Sequence, residues 1–317
     1  MSTWLASPPP DAAIEISPEA VAVAAVGVRG REPFVQSYAV EPLAPGAVTA
    51  ALTGHNIVDR PAVARALRSA LERAALRPRR VALVIPDTAA RVSLIRFDRI
   101  PERREDLEQL VRWQIRKAAP FPVEEAALSY SPGMRFGDGG GEFVTVVARQ
   151  DIVREYEGIC EDAGLYAGLV DLATLSVLNL FLASAPPPGD WLAVHMRPEY
   201  VSIAVMRGEH MIFFRTRTEG DDDALVDLVH QTTMYYQDRL SGEGFVRVLF
   251  GGIARPPEAF EASQRTIEDR LALRVETMDP TKIAALTDRL TPGAELMGTL
   301  SPLVGILLRT RREAVAA

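Results

Sequence analysis

Hydrophobic and polar positions along this 317-residue chain fall into short runs whose period keeps changing. In "AAIEISPEAVAVAAVGVRG" (12–30) two β-type runs flank a turn at Ser17-Pro18-Glu19, and a third extended run, "PFVQSYAVEPL", follows. "DRPAVARALRSALERAAL" (59–76) switches to a helical period, with Asp59 placed as N-cap and a proline in the first turn. "RRVALVIPD" (79–87) is almost wholly apolar, the pattern of a strand covered on both faces.

Residues 90–100 alternate as a strand with one covered face. Residues 102–119 form a helix with acids early and bases late, stopped by Pro120-Phe121-Pro122. "EEAALSYSPGMRF" and "GEFVTVVAR" are strands around the tip "GDGGG" (137–141), and 150–165 is a helix closed by Gly164. An apolar helix is expected over 169–185, and "PPPGD" (186–190) is a linker. The order then restarts. Three strands cover 191–216, a helix capped by Asp221–Asp223 covers 221–240, and a strand over 245–254 runs into a glycine pair. Another helix, a short strand and a helix around 300–309 complete it.

A β-β-β-α-β order therefore occurs twice, with an α+β unit between the copies. That is the plan of the actin-like (Hsp70/sugar kinase) ATPase fold, an α/β class of duplicated lobes. The expected division is 11–89 for the first lobe, joined by helices 169–185 and 300–315, then 90–168 for the insert and 190–299 for the second lobe.

Composition narrows the classes. Net charge is −7 and basic clusters are as short as "RPRR" (77–80) and "RTRR" (309–312), which argues against nucleic acid. No apolar run reaches the ~18–20 residues of a membrane span, and the N-terminus lacks signal-peptide features. The four histidines are scattered, so no metal site is expected. The single cysteine, Cys160, sits at an apolar helical position as a structural thiol, which suits a reducing cytoplasm. "MYYQ" (234–237) reads as inner-face helix packing, and "RTRR" as a solvated C-terminal turn suited to the helix dipole.

The stretches "ALVIPDTAARVSLIRFDRIP" (82–101), "LVRWQIRKAAPFPVEEAALSY" (110–130) and "VVARQDIVREYEGICEDAGLYAGLVDLATLSVLNLF" (146–181) resemble the PilM family, actin-like cytoplasmic proteins of type IV pilus assembly. "YYQDRL", "VLFGGIA" (248–254) and "LSPLVGILLR" (300–309) extend the resemblance over most of the chain after residue 80. It implies a scaffold, not an enzyme, that binds the N-terminal cytoplasmic tail of a PilN-like inner-membrane protein in a groove beside the insert. Contact with the membrane is through that partner, and pilus motor ATPases are possible further partners. Val92, Leu94, Trp113, Phe121 and Pro122 are the groove residues this resemblance puts forward, with Phe121 as a support held by its two prolines.

The resemblance also implies a nucleotide site at two turns and a glycine pair. PilM-like proteins have Asp-Ile-Gly in the first turn and a lysine soon after. Here Glu15-Ile16-Ser17-Pro18-Glu19 stands there, with Ala22 at the lysine position. His195 and Arg197 replace aspartate and glycine in the second turn, and Gly251-Gly252 remain. Phosphate cradles need free N–H groups and little bulk, so a degenerate site at Glu15, Ser17, Arg197, Gly251 and Gly252, with no cofactor, is expected. ATP with Mg²⁺ in an actin-like switch is the alternative function. A type II secretion platform subunit is a third.

Overall fold

Pro18 and Glu19 turn the chain back on itself. β1 (Ala12–Ile16) and β2 (Ala20–Arg29) pair antiparallel, with Ile16 opposite Val21, and β3 (Glu32–Pro42) extends the sheet. The computed structural model describes residues 9–30, 32–117, 119–137, 139–183, 188–218, 222–253, 258–282, 284–286 and 293–316. α1 (Arg60–Arg73) starts where Asp59 accepts the Ala62 N–H at 2.9 Å, the expected cap. β4 (Arg80–Ile85) then runs parallel to β1.

The insert follows: β5 (Ala90–Phe97), α2 (Arg104–Arg116), β6 (Ala126–Arg135) and β7 (Gly141–Arg149). The chain returns to the first lobe through α3 (Gln150–Asp162), β8 (Tyr166–Leu172) and α4 (Ala173–Ala183). The second lobe has β9 (Asp190–Arg197), β10 (Tyr200–Arg207), β11 (His210–Thr218), α5 (Asp222–Arg239), β12 (Arg247–Gly252), α6 (Glu258–Leu271) and β13 (Val275–Thr277). β14 (Ala285–Leu286) and α7 (Ala294–Ala316) go back to the first.

The described residues form three sheets, in the orders β14-β3-β2-β1-β4-β8, β11-β10-β9-β12-β13 and β5-β7-β6. Strand residues alternate between two cores. Ile14, Val23, Leu83 and Ile85 pack with α1 and α3, whereas Ala13, Ala24, Ala82 and Val84 face α4 and α7. That second core is shared between lobes, because Trp191, Ala193, Ala204 and Leu249 join it from the other sheet. Leu192, Val194, Val205 and Phe250 face α5 and α6. α7 contributes Leu300, Leu303, Val304 and Ile306 to the shared core, at about 1.5–3 kcal/mol per buried side chain.

Several expectations are corrected. Residues 169–172 belong to strand β8, not to the helix expected over 169–185, which begins at Ala173. Gly164, at φ +73, ends α3, and the Tyr166 N–H then bonds the Arg79 carbonyl and starts a parallel strand along β4. The backbone groups on that edge of β4 need such a partner. α3 and β8 pack with the first lobe through Ile152, Tyr156, Ile159 and Leu165, so they leave the unit expected over 90–168. In "MYYQ" only Tyr236 is buried; Met234 and Tyr235 are exposed. Arg309 and Arg311 are not in a solvated turn. Arg309 pairs with Asp171 at 2.8 Å and Arg311 donates to the Val26 carbonyl. Asp221, the side chains of 222–223, and prolines 186–187 of the expected linker lie outside the described residues.

Candidate functional site

Two turns from the two lobes meet in the cleft between them. One is Ser17–Glu19 between β1 and β2, the other Pro198-Glu199 between β9 and β10. Arg197 donates to Glu15 at 2.6 Å and lies 4.0 Å from Glu19, and all but 4% of its surface is buried. Ser17 fixes Glu19 by donating its hydroxyl at 2.7 Å. Burial drives the Glu15 carboxyl up to about 7, although the Arg197 guanidinium pulls it the other way. The same carboxylates hold Arg197 firmly protonated.

Behind this pair runs a buried polar chain. Asp87, in the short turn that follows β4, accepts from the Thr174 N–H at 3.0 Å, from the Thr174 hydroxyl, and from the Ser202 hydroxyl at 2.5 Å. With its proton committed to Asp87, the Thr174 oxygen takes the Nδ1–H of His195, 2.7 Å away. Burial, with Arg197 nearby, pushes His195 down to about 3, so the ring is neutral. Asp87, Thr174, Glu199, Tyr200 and Ser202 were not singled out in the sequence. The signal was there for Asp87, a carboxylate closing the apolar run "VALVIPD" that must be satisfied once buried.

A second feature lies beside the insert. β8 is the last strand of the first sheet and β6 the last of the three-stranded sheet. Ala127, Leu128 and Ser129 of β6 and Leu169, Val170 and Leu172 of β8 line one groove, with Asp171 and Arg309 also on its wall. Its volume of about 190 Å³ is below the roughly 300–1,000 Å³ of small-molecule sites. Extended peptides instead lie along strand edges, and alternate side chains enter shallow recesses.

The family model for type IV pilus assembly protein PilM matches residues 13–238. The chain belongs to the PilM family. The solved PilM-PilN type IV pilus biogenesis complex is 18% identical, with a TM-score of 0.80, 94% of this chain covered and 98% of that one. A Bacteroides thetaiotaomicron protein with an actin-like ATPase fold and unknown function (8% identity, TM-score 0.52, 87% and 92% covered) shares the fold. So does the ethanolamine utilization protein EutJ of Carboxydothermus hydrogenoformans (10%, 0.51, 96% and 91%). No curated protein sequence matches. The actin-like fold read from the sequence is thus the fold of this PilM-family chain.

Acidic side chains crowd the cleft where the two turns meet. A phosphate between the turns would meet Glu15, Glu19 and Glu199, and the cation that faces them among the described residues, Arg197, is already held by Glu15. Pro18 and Pro198 offer no N–H to a cradle. Among the described residues, no group of three or more His, Cys, Asp or Glu side chains is arranged to hold a metal ion. The glycine pair has a packing cause. A Cβ on Gly252 would lie 1.9 Å from the Met196 carbonyl, at φ +116, and one on Gly251 would lie 2.4 Å from Met278.

The structure brings Glu15, Ser17 and Arg197 together at the cleft, with Gly251 and Gly252 on the strand paired beside His195 and Met196. None of the five residues put forward for the partner groove lines the groove between β6 and β8. Trp113 is 54% exposed on α2, outside the core, with the Lys117 ammonium 3.6 Å from its ring centre. Phe121 packs against the insert core, Pro122 is exposed, and Leu94 leans on the shared core. Val92 lines a different recess, with Arg91 and Phe214. Among the described residues no helix is long and apolar enough to cross a membrane.

Proposed function

We propose that this protein is a cytoplasmic scaffold of the type IV pilus assembly platform. It holds the extended N-terminal tail of a PilN-like inner-membrane protein in the groove between β6 and β8, and works without nucleotide. The observation that carries the reading is that groove: two end strands from different sheets, apolar side chains between them, and one ion pair, Asp171–Arg309, on the wall. An end strand leaves backbone N–H and C=O groups for an incoming strand, and a preformed groove spares the complex much of its ordering cost. Association with the membrane, and any contact with pilus motor ATPases, then runs through the complex with that partner.

Support for the partner class comes from the PilM-PilN complex, to which this chain is similar over nearly its whole length. Support for a scaffold over an ATPase comes from the Glu15–Arg197 pair in the cleft. Titration calorimetry tests both parts on one sample. Heat from the tail peptide and none from ATP with Mg²⁺ is the expected result. ATP binding at micromolar concentration would overturn the nucleotide part, and no tail binding would overturn the scaffold part.

A further inference from the structure

Among the described residues the cleft holds three glutamates against one arginine. Glu15 and Glu19 come from the first lobe, and Arg197 and Glu199 from the second. Arg197 reaches Glu15 at 2.6 Å and Glu19 at 4.0 Å, so its single charge is divided between two carboxyls of the opposite lobe. Glu199 sits against Glu19 within hydrogen-bonding reach. Yet Glu19 Oε1 and Glu199 Oε2 are both buried with no donor. Two ionised carboxylates have only acceptors to offer, so they repel, and leaving buried oxygens unpaired is costly. A proton on one of them turns the same contact into an O–H···O⁻ hydrogen bond.

We propose that Glu19 and Glu199 share one proton across the lobe interface, and that this proton latches the two lobes closed where a nucleotide would bridge them in an actin-like ATPase. When the proton leaves for bulk water, Glu15, Glu19 and Glu199 face Arg197 with a net charge of two negatives, and the turns part.

Surrounding groups agree with this assignment. Burial and the neighbouring Glu19 push Glu199 up to about 8. Burial also lifts Glu19, but Glu199, Arg197 and Ser17 outweigh it and hold that carboxyl below its usual range. The other titratable groups facing the cluster are Asp87, Tyr200 and His195. Asp87 is engaged with Thr174 and Ser202, burial keeps the Tyr200 phenol protonated, and His195 is neutral, so among the described residues no second cation faces the cluster. Each turn is also stiffened by a proline, Pro18 or Pro198, so the carboxyls have little room to swing apart while the lobes stay closed. The latch rests on the two turns alone, and stands or falls independently of what fills the groove.

The test uses the full chain with spin labels on two exposed positions, Arg65→Cys on α1 and Gln237→Cys on α5; the native Cys160 is buried and stays unlabelled. Distance distributions are recorded at about pH 6 and about pH 9.5, on either side of the Glu199 titration. The parent should shift to longer distances at the higher pH. Glu199→Gln, whose amide donates to Glu19 at any pH, should keep the short distance at both. Glu19→Gln offers the same donor from the other lobe and serves as the second variant. Identical parent distributions at the two pH values, or a shift in the glutamine variants equal to the parent's, would overturn the latch.

Discussion

Glu15 and Arg197, 182 positions apart, meet at 2.6 Å with both side chains almost wholly out of solvent. Each comes from the first hairpin of its lobe, so one ion pair ties the two repeats together. Arg197→Met leaves Glu15 buried without its counter-charge, which costs about 3–5 kcal/mol. The double variant with Glu15→Gln should recover most of that loss. Urea unfolding of the two singles and the double checks it, and additive costs would mean that the pair is not coupled.

Stability is expected to fall as pH rises from about 5 to about 8. The Glu15 carboxyl is raised to about 7 and that of Glu199 to about 8, both above the ~4.3 of an unfolded glutamate. Over that window the unfolded chain has released these protons while the folded chain still holds them, so each rise in pH favours unfolding. His195, pushed down to about 3, acts in the opposite sense below about pH 6.5, where the unfolded ring takes up a proton that the folded one refuses, but the two glutamates outweigh it. Glu19 also opposes them. Its carboxyl is held low, so its contribution is present above the unfolded value and is lost on acidification through the folded one. A melting temperature that climbs steadily from pH 5 to pH 8 would contradict this balance.

Groove and exposed aromatic separate cleanly. Ala127→Trp places a ring between β6 and β8 and should weaken tail binding by about 10–100-fold, or about 1.4–2.8 kcal/mol. Trp113→Ala removes a side chain that touches neither groove nor core, and should leave tail affinity and stability within about 0.5 kcal/mol of the parent. Calorimetry of both variants with the same peptide decides. Equal loss in the two would move the site to α2.

Gly252→Ala forces a Cβ to within 1.9 Å of the Met196 carbonyl at a φ of +116, a conformation L-residues rarely adopt. A loss of about 3 kcal/mol or more is expected in a thermal or urea melt. No nucleotide is needed for that loss, so adding ATP to the variant should restore nothing.

Cys160 should stay unmodified by thiol reagents in the native protein and react at once in denaturant. Burial, with Glu157 and Glu161 nearby, pushes its thiol up to about 12, and its side chain lies in the core under α1. Reaction of the folded chain at the rate of a free thiol would contradict that placement.

Much of this was legible in the sequence where chemistry is local. The Asp59 cap, the two duplicated hairpins and the Pro18 turn are written in neighbouring residues. β8 was not, because "YAGLVDLATL" passes from strand to helix with no glycine, proline or polar cluster at the junction, and a mostly apolar run hides the change of period. The residues of the two cleft turns were visible as Ser17-Pro18-Glu19 and Arg197-Pro198. What they make there, a cross-lobe pair plus the chain from Asp87 through Thr174 to His195, depends on contacts far apart in sequence. The groove proposed between β6 and β8 was not the one read onto Trp113 and Phe121, for the same reason. Two sheet edges come to border one groove only in three dimensions, whereas an aromatic between prolines draws attention in one.

α7 supplies a consequence for how the molecule is made. Leu300, Leu303, Val304 and Ile306 complete the core that Ala13, Ala24 and Val84 begin, and Ala193 and Leu249 enter it from the other lobe. A ribosome adding about 5–20 residues per second therefore has the first lobe's hairpin outside for many seconds before its inner face is covered. During that interval the chain carries an uncovered apolar sheet, and neither lobe can finish folding first. Synthesis order and folding order are out of step, so the nascent protein is a natural client for a chaperone that shields that face until residue 308 has emerged.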